Sequence, residues 1–495
     1  MVNVYLTLSL LYSQQLRSFK QKGSVMTQPK SLKDLYHAEL GLQSGGKILL
    51  MNTGSLIGPE EEAMTQAMFS RNPSVISELL DILISKGPGP FMQQTYVGYG
   101  HKSVADNGSI TVLFERVSML AAKALQDFAL YNGQECSTRY IDFTNQPFID
   151  PMQSSETTQA QEAWRAFYLK ALAVLKKDML RRFPYKKFAR KGESREVYEK
   201  TINARAFDVA RGFLPAGCST NVAWHGELRI FDDRLVQLRH HPLAEVRNIG
   251  ETLEALLIAC HERTFSKNKS LGVAGKHPQP KRYWETEAYM AEVVRTYYYN
   301  HDPSVQSLVC AGNEIDSTEV QKYADVFTKR PPHAELPKSL GVLGSLRFKF
   351  PIDYGGYRDL QRQRSVTQRH PLLTEDLGFH PWYLKELPAT FSSVAQKELT
   401  KARAVLDEIK ISQANRQYFI PMGYQVSCDF RGDLPAWVYI AELRAGTTVH
   451  ATVRMVAHGV VEYMERTFGD TIRLHANTGP DRFDLKRGTQ DIVVQ

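Results

Sequence analysis

Hydrophobic and polar residues alternate along two short segments of the chain, and each segment precedes an amphipathic stretch. The alternating segments are residues 109–114 and 346–350. Alternation over five or six residues is typical of a half-buried strand. The stretches that follow, 117–130 and 357–366, place apolar residues at helical spacing, so the pattern predicts a strand followed by a helix in both places.

Two later segments also have the same pattern, and they begin near Leu235 and Trp437. Each passes a Leu-Arg pair and continues with apolar residues at helical spacing, which predicts a helix packed on a core. Between the two halves, residues 264–285 are rich in Lys, Gly, Ser and Pro and have no hydrophobic period, which is typical of a linker. The repeated order of elements indicates a duplication with a period near 200 residues.

The length of 495 residues predicts more than one core. The pattern divides the chain into a poorly ordered extension (1–35), a first domain (36–265), a linker (266–285), a second domain (286–475) and a tail (476–495). Periodicity alone supports mixed helix and strand content with abundant helix.

Composition and charge narrow the class of protein. Hydrophobic residues make up 43% and charged residues 23% of the chain, as in globular proteins. The formal charge of +8 is compatible with anionic ligands such as nucleotides, while the lack of a long Lys/Arg run makes nucleic-acid binding unlikely. No run of apolar residues reaches the length of a membrane span.

The five cysteines are scattered and lack metal-ligand spacing, which favours a reducing, cytoplasmic location over disulfides or a zinc site. Cys136 is interpreted as a packing residue.

An ordered series of short motifs lies between residues 100 and 140. It opens with Gly100, His101 and Ser103, and Asp106 stands at an acidic position. Val117-Ser118 follow, and Ser137-Thr138-Arg139-Tyr140 close the series without a gap. Ser137 and Arg139 are one residue apart and can offer a hydroxyl, backbone N–H groups and a guanidinium to one phosphate. His101 contacts a ligand or caps a helix, and the sequence leaves both interpretations open.

The series continues with Arg211, Leu214-Pro215, Leu238-Arg239 and Ala244-Glu245. In this order the motifs resemble the flavin-dependent thymidylate synthases, which carry G-H-x-[ST]-x-x-E-H, V-S, R-H-R, S-x-R-Y, A-R-x-x-L-P and a later L-R helix. The R-H-R triplet of that family falls here on Asp127-Phe128-Ala129, which puts flavin binding by the first half in doubt.

The second half keeps the opposite part of the family pattern. Arg362-Gln363-Arg364 stand at the R-H-R position, whereas Leu372 replaces the serine of S-x-R-Y. Gln417 replaces the arginine of A-R-x-x-L-P, and Leu443-Arg444-Ala445 stand at the late L-R helix with His450 beyond them. The resemblance covers about 95–265 and 340–465.

The resemblance implies an α+β fold in two tandem copies, each a small curved sheet flanked by long helices. It implies reductive methylation of dUMP to dTMP with reduced FAD, and with methylenetetrahydrofolate and NADPH as co-substrates. The implied residues are, for the flavin, His101, Ser103, Asp106, Arg362, Gln363, Arg364 and His450; for the nucleotide, Ser137, Arg139, Tyr140, Arg211 and Arg239; and for polarising the uracil carbonyl, Arg239 and Arg444. Arginine suits such roles because its guanidinium pairs with phosphates and carbonyls and also stacks on rings.

The complementary losses suggest a composite site. In the family, residues from different subunits meet around one flavin, so we expect one copy to supply the phosphate loop and the other the flavin arginines. A homodimer of this chain would then form a pseudo-tetramer with fewer working sites. Two alternatives stay open: flavin-dependent modification of another uridine nucleotide, and a non-catalytic protein that binds a nucleotide or a partner.

Overall fold

The computed structural model describes residues 36–51, 58–69, 102–138, 143–265 and 281–479, and all statements below concern these residues. The predicted extension 1–35 lies outside them, as do most of the linker and the tail from residue 480. His101, Arg139 and Tyr140 also lie outside the described residues.

Nine strands and seventeen α-helices are present in the described ranges. The strands are β1 (Tyr36–Gly41), β2 (Lys47–Met51), β3 (Ser109–Ser118), β4 (Asn132–Glu135), β5 (Ser219–Glu227), β6 (Val309–Asn313), β7 (Ser345–Asp353), β8 (Val366–Gln368) and β9 (Gln425–Asp433). The helices are α1 (Pro59–Phe69), α2 (Met119–Gln126), α3 (Ser155–Arg182), α4 (Tyr185–Phe188), α5 (Arg195–Ala210), α6 (Leu228–Arg239), α7 (Ala244–Cys260), α8 (Glu262–Phe265), α9 (Lys281–Tyr297), α10 (Ser317–Lys322), α11 (Ala324–Lys329), α12 (Tyr354–Leu360), α13 (Pro381–Glu386), α14 (Ala389–Glu408), α15 (Gln413–Arg416), α16 (Leu434–Arg444) and α17 (Ala451–Phe468).

The described chain divides into two compact units, and neither unit coincides with one sequence repeat. The first unit is drawn from 1–115, 223–240 and 247–292, and the second from 116–222, 241–246 and 293–495. Residues from both halves of the chain therefore build the second unit. The domain boundaries predicted from the repeat stay a prediction about sequence organisation.

The first sheet has five strands in the order β1-β2-β3-β5-β4. β2 pairs antiparallel with β3, with Ile48 opposite Phe114 and Leu50 opposite Val112. These four side chains are fully buried, while their neighbours along each strand are more exposed. Alternation thus predicted the strand at 109–114 correctly, because only one face of it enters the core.

In the second unit β6, β7, β9 and β8 form an antiparallel sheet in that order. β7 and β9 pair over nine residues, from Ser345 opposite Asp433 to Asp353 opposite Gln425. Phe348 and Phe430 are buried on this sheet, and Trp437 packs edge-on against Phe348. The predicted strand at 346–350 is confirmed and is longer than the alternation indicated.

Both strand-to-helix junctions have the same cap. Ser118 Oγ accepts a hydrogen bond from Ala121 N at 2.9 Å, and a carboxylate oxygen of Asp353 accepts one from Gly356 N at 2.7 Å. A polar N-cap satisfies a free helix N–H and fixes the first residue of the helix. The predicted helices 117–130 and 357–366 were therefore wrong at their ends: α2 covers Met119–Gln126 and α12 covers Tyr354–Leu360.

The two late helical segments are each interrupted. α6 ends at Arg239 and α7 begins at Ala244, with Pro242 between them, since proline cannot continue the hydrogen bonding of a helix. α16 and α17 are separated by residues 445–450. α9 begins at Lys281, so part of the stretch predicted as a linker is helical.

Four reciprocal backbone hydrogen bonds join segments 212–217 and 418–423 inside the second unit. They run from Ala216 N to Ile420 O (3.0 Å), from Met422 N to Leu214 O (2.8 Å), from Gly217 N to Tyr418 O (2.9 Å) and from Gly423 N to Gly212 O (2.8 Å). Every participant has its counterpart 206 residues along the chain, as Gly217 has Gly423. A self-complementary contact of this kind is what a twofold axis generates. The second unit thus contains an internal pseudo-twofold axis that relates the two repeats.

The glycines at this axis are required by close approach of the backbone. A Cβ on Gly217 would lie 2.5 Å from the carbonyl oxygen of Tyr418, and one on Gly423 would lie 2.4 Å from the Phe379 ring. The two strand-to-helix junctions are related by the same axis, and their equivalent residues are 235 positions apart, as Ser118 and Asp353 are. Two small antiparallel sheets among long helices, arranged as a pseudo-symmetric duplication, confirm the predicted α+β tandem fold.

Candidate functional site

A buried ion cluster lies where α2, β4 and α12 meet in the second unit. Lys123 Nζ lies 2.7 Å from a carboxylate oxygen of Glu135, and neither side chain is exposed. Arg358 forms an ion pair with the other carboxylate oxygen and is 5% exposed. Lys123 and Arg358 are equivalent by the 235-residue spacing, so one carboxylate is shared by two cations related by the pseudo-twofold axis.

The protonation states of this cluster follow from burial and charge. Burial by itself would raise the pKa of the Glu135 carboxyl, but the charges of Arg358, Lys123 and Arg362 outweigh it and hold that pKa at about 2. Burial lowers the pKa of the Lys123 ammonium to about 8, although Glu135 opposes that effect. At neutral pH the cluster holds two buried cations and one carboxylate.

A second arginine, Arg211, reaches the same region from the 3₁₀ turn Arg211–Phe213. It is 2% exposed, and its Nη1 donates to the Thr138 hydroxyl at 3.2 Å. Arg358 Nη1 donates to the same hydroxyl at 3.4 Å. Arg211 also lies 3.6 Å from the Asp359 carboxylate. Thr138, which directly follows Ser137, therefore joins an arginine of the first repeat to an arginine of the second.

A cavity of about 210 Å³ opens beside this cluster. Its lining is Gln126, Tyr131, Asn132, Gly133, Gln134, Glu135, Gln361, Arg362 and Arg364. Gln361 donates from Nε2 to the Lys123 carbonyl at 2.9 Å, and its buried Oε1 has no hydrogen-bond partner. A buried acceptor without a partner is costly unless a ligand or water satisfies it.

Arg362 and Arg364 are both exposed at this cavity. Arg364 donates to the Tyr131 carbonyl, whereas Arg362 makes no hydrogen bond or ion pair within the described ranges. Lys123, Arg211 and Arg358 bring the local cations to five, against the carboxylates of Glu135 and Asp359. The excess positive charge at a small cavity favours an anionic ligand such as a phosphate.

The structure brings several predicted site residues to this region. Ser137 lies between Glu135 and Thr138 and is half-buried. Arg444 Nη2 donates to the carbonyl of Asp359, the residue after Arg358, at 3.0 Å. With its amide oxygen turned toward Arg444, Gln363 accepts from Nε at 3.1 Å and from Nη2 at 2.6 Å. The roles predicted for these residues stay predictions.

His450 lies in other surroundings, at the start of α17. Its Nδ1 lies 2.8 Å from the Thr452 hydroxyl, its Nε2 lies 3.1 Å from the Asp208 carbonyl, and its ring is 4.8 Å from that of Trp382. The ring is buried and does not line the cavity.

Three predicted residues belong to the first unit. Ser103 is exposed, and Asp106 forms an ion pair with Arg229. Arg239 forms ion pairs with Glu254 and, at 2.7 Å, with Glu287. Each of these charged residues has a protein partner in its own unit.

Sequence reasoning missed four residues of the cluster: Lys123, Glu135, Thr138 and Arg358. Two signals were present in the printed sequence. Lys123 interrupts an otherwise apolar helix, and Arg358 precedes Arg362 by four residues. A charged side chain inside an apolar helix is almost always paired when it is buried.

The lowered pKa of Lys123 makes the stability of the protein depend on pH. Folded Lys123 loses its proton near pH 8, and the unfolded chain loses it near pH 10.5. Between these values the unfolded state binds more protons, so stability rises with pH. We expect the unfolding free energy of the wild type minus that of Lys123→Met to increase by about 2 kcal/mol from pH 7.5 to 9.5 in urea titrations.

The matched control for this prediction is Lys329→Met, because Lys329 is an exposed lysine paired with Asp325 on the surface. Its difference from the wild type is expected to stay constant over the same pH interval. A constant difference for Lys123→Met as well would contradict the burial of a charged Lys123.

The described residues also show the state of the cysteines and the distribution of metal-ligating and apolar side chains. All five cysteines are free thiols. Among the described residues no group of three or more His, Cys, Asp or Glu side chains could hold a metal ion. No helix within the same residues has the length and apolarity needed to cross a membrane.

The fold is α+β, and its buried cationic cluster lies at a small cavity whose charge is compatible with an anionic ligand. Residues 65–261 match the model of the family described as "Thymidylate synthase complementing protein", and they include Lys123, Glu135, Thr138 and Arg211. This match confirms, for residues 65–261, the resemblance recognised from the motifs.

Two relatives resemble the chain over most of its length. A UPF0159 protein of Chlamydia muridarum is 26% identical over 411 residues, which are 74% of this chain and 77% of the relative. A UPF0159 protein of Thermoplasma acidophilum is 21% identical over 425 residues, 74% of this chain and 84% of the relative. The similarity therefore includes the second half of the chain as well as the family segment.

One solved structure, a UMP/dUMP methylase PolB from Streptomyces cacaoi bound with 5-Br UMP, is 14% identical. It covers 47% of this chain and 98% of its own, with a TM-score of 0.27. At that TM-score the likeness supports no inference about activity.

Proposed function

We propose that the chain is a flavin-dependent thymidylate synthase that methylates a uracil nucleotide, dUMP to dTMP, with its nucleotide site in the second unit. The observation that carries the proposal is the convergence of Arg211 and Arg358 on Thr138, next to Ser137, beside a cavity that Arg362 lines. The match of residues 65–261 to the thymidylate synthase complementing proteins supports the reaction class.

The cluster has the properties of a preorganised phosphate site. Guanidinium groups bind phosphate through paired hydrogen bonds, and Thr138 holds two of them before any ligand arrives. The five cations at the cavity outnumber the carboxylates of Glu135 and Asp359, so a bound dianion brings the region closer to neutrality. Ser137 adds a hydroxyl next to this charge.

Arg444 is proposed to polarise the uracil carbonyl, since it stands at the end of α16 beside the last turn of α12. A cation at that oxygen stabilises the enolate form of the uracil ring, in which the oxygen carries negative charge and C5 is nucleophilic. The first-unit residue Arg239 was predicted for the same role. Its two ion pairs would have to open for it to contact a ligand.

Arg364 lines the cavity as an exposed cation and is proposed to contact a phosphate group of FAD, whereas Arg362, predicted from the motif for the flavin, is proposed here for the nucleotide phosphate. The cavity volume of about 210 Å³ is below the roughly 300–1,000 Å³ of pockets that enclose a whole ligand, so it accounts for a phosphate end. When bound, reduced FAD would supply the hydride, with methylenetetrahydrofolate as carbon donor and NADPH as reductant.

Two other functions are kept as alternatives: flavin-dependent modification of a different uridine nucleotide, and nucleotide binding without turnover. The absence of S-x-R-Y in the second repeat and of R-H-R in the first motivates both. We propose a homodimer as the assembly that would give four repeats.

An absorbance spectrum of the purified protein, with added FAD, tests the proposal. We expect flavin absorbance bands in the near-ultraviolet and the blue that shift when dUMP is added. If dUMP shifts the flavin spectrum but the methylation assay yields no dTMP, the result would favour a different uridine nucleotide as the acceptor. Protein that takes up no FAD and yields no dTMP would contradict the proposed activity and favour nucleotide binding without turnover.

A further inference from the structure

The pseudo-twofold axis creates two equivalent positions in the second unit, and only one of them keeps the groups of a phosphate site. Position one is the cluster around Arg211, Thr138 and Arg362. Its counterparts by the 206- and 235-residue spacings are Gln417, Leu373 and Asp127. Identical copies would place the same groups at both positions. Here the second position has lost two cations and a hydroxyl and has gained a carboxylate.

The geometry at the second position is conserved although its chemistry is not. Arg211 donates to the Thr138 side chain, and at the equivalent place the Gln417 side-chain oxygen accepts from Leu373 N at 3.1 Å. The Gln417 amide nitrogen then donates to the Tyr299 hydroxyl at 3.0 Å. Gln417 is fully buried. The oxygen and the nitrogen of the Gln417 amide, which stands at the position of Arg211, are therefore both hydrogen-bonded to protein groups.

The backbone of the second loop is also engaged. Leu372 stands at the position of Ser137, and its N–H donates to the Asn300 carbonyl at 2.9 Å. Asn300 N donates in turn to the His370 carbonyl at 2.8 Å. Asn300 thus forms an isolated parallel bridge to Pro371 in this loop. A loop whose N–H groups are already paired offers less to an anion.

Aromatic rings fill the space next to this loop. Tyr298 and Tyr299 pack edge to face with centroids 4.9 Å apart, and the His370 ring lies 5.4 Å from Tyr298 and 5.8 Å from Tyr299. His370 stands at the position of Glu135. Burial raises the pKa of the Tyr299 phenol, and the nearby Asp127 carboxylate adds to the effect. Asp127 therefore brings negative charge to the place where Arg362 brings positive charge.

We infer that each chain binds one nucleotide, at the Arg211 position, and that the axis-related position is a closed Tyr-His cluster that binds none. This inference rests on the proposed function and specifies how many nucleotide sites each chain has. The duplication has produced one site from two repeats, with each repeat supplying groups that the other has lost.

Isothermal titration of the full chain, loaded with FAD, with dUMP tests the inference by its stoichiometry. We expect one dUMP per chain, and deoxyuridine, which lacks the phosphate, is expected to bind at least tenfold more weakly. Arg362→Gln is expected to weaken dUMP binding by about tenfold to a hundredfold. Its axis-related control, Asp127→Asn, removes one charge from the second position and is expected to leave the Kd within twofold.

Two bound dUMP per chain, or equal weakening by Arg362→Gln and Asp127→Asn, would overturn the inference while leaving the proposed function intact. A chain that is folded by circular dichroism and binds no dUMP would overturn both. Tyr299→Phe gives a second control, because it removes the hydroxyl that Gln417 contacts and keeps the ring. A change in the number of bound dUMP in this variant would also count against a closed second position.

Discussion

Replacing Arg362 with glutamine is expected to weaken the binding of a phosphorylated nucleotide by about tenfold to a hundredfold. Arg362 is exposed at the cavity and makes no hydrogen bond or ion pair with the described residues, so its guanidinium is available to a ligand. A hydrogen bond to a charged partner contributes about 1.5–3 kcal/mol, and about 1.4 kcal/mol corresponds to a factor of ten. The Kd for dUMP measured by titration calorimetry checks this.

The variant Arg362→Lys separates charge from geometry. Lysine keeps the positive charge but loses the planar pair of donors that matches a phosphate. We expect its Kd to fall between those of the wild type and Arg362→Gln. A value equal to the wild type would mean that only the net charge of the cavity matters.

The matched control for Arg362 is Arg195→Gln. Arg195 is an exposed arginine at the start of α5, paired with Glu199, and its replacement changes the net charge by the same amount. We expect the Kd to change by less than about twofold, because exposed charges far from a ligand are screened by salt. Equal weakening by both replacements would indicate a general charge effect and contradict a site at Arg362.

Strands were predictable from the sequence because one face of each enters the core. Alternation at 109–114 and 346–350 marked β3 and β7, although both strands continue further. Helix ends were predicted less well, since they depend on single capping contacts. Ser118 and Asp353 are each the last residue of a strand, and the side chain of each caps the helix that follows. A pattern of hydrophobic and polar residues does not predict such a contact.

The candidate site was predictable only in part. Motif register identified Arg362 and Ser137 and assigned them to the two different copies, without saying whether those copies lie in one chain or in two. The structure places Arg362 on the cavity that ends at Glu135, two residues before Ser137 in the same chain. Register in a sequence says which residues are equivalent. It does not say which copy packs on which, because that depends on the reciprocal contacts at 212–217 and 418–423.

The ion cluster was not predictable because its partners are far apart in sequence. Glu135 and Arg358 are separated by 223 residues, and no periodicity connects them. Their contact requires the pseudo-twofold axis, which places the cation of each repeat next to the same carboxylate. The cluster therefore links the stability of the second unit to the integrity of its proposed site.

Replacing Glu135 with glutamine is expected to reduce the free energy of unfolding by about 3–5 kcal/mol at pH 7. The variant keeps the shape of the side chain but leaves the buried charges of Lys123 and Arg358 without a carboxylate, and removing one partner of a buried ion pair typically costs that amount. Urea denaturation followed by circular dichroism measures the change through the transition midpoint.

The same variant is expected to lose less stability at higher pH. Without Glu135, the pKa of Lys123 falls below its value of about 8, because the carboxylate is the group that raises it. Lys123 in the folded variant then loses its proton at a lower pH than in the wild type, and the unfolded chain still holds that proton. The unfolded state binds more protons in that interval, so the deficit relative to the wild type shrinks as pH rises from 6 to 8.

The control for Glu135 is Glu319→Gln, which breaks a surface ion pair with Lys322 and is expected to change stability by less than about 1 kcal/mol. The double variant Lys123→Met with Glu135→Gln removes one of the two unpaired cations and is expected to recover part of the loss. A Glu135→Gln protein within about 0.5 kcal/mol of the wild type, with no pH dependence of the difference, would contradict the cluster. In that case the carboxylate would not hold the two repeats at the proposed site, and the charge excess there would need another source.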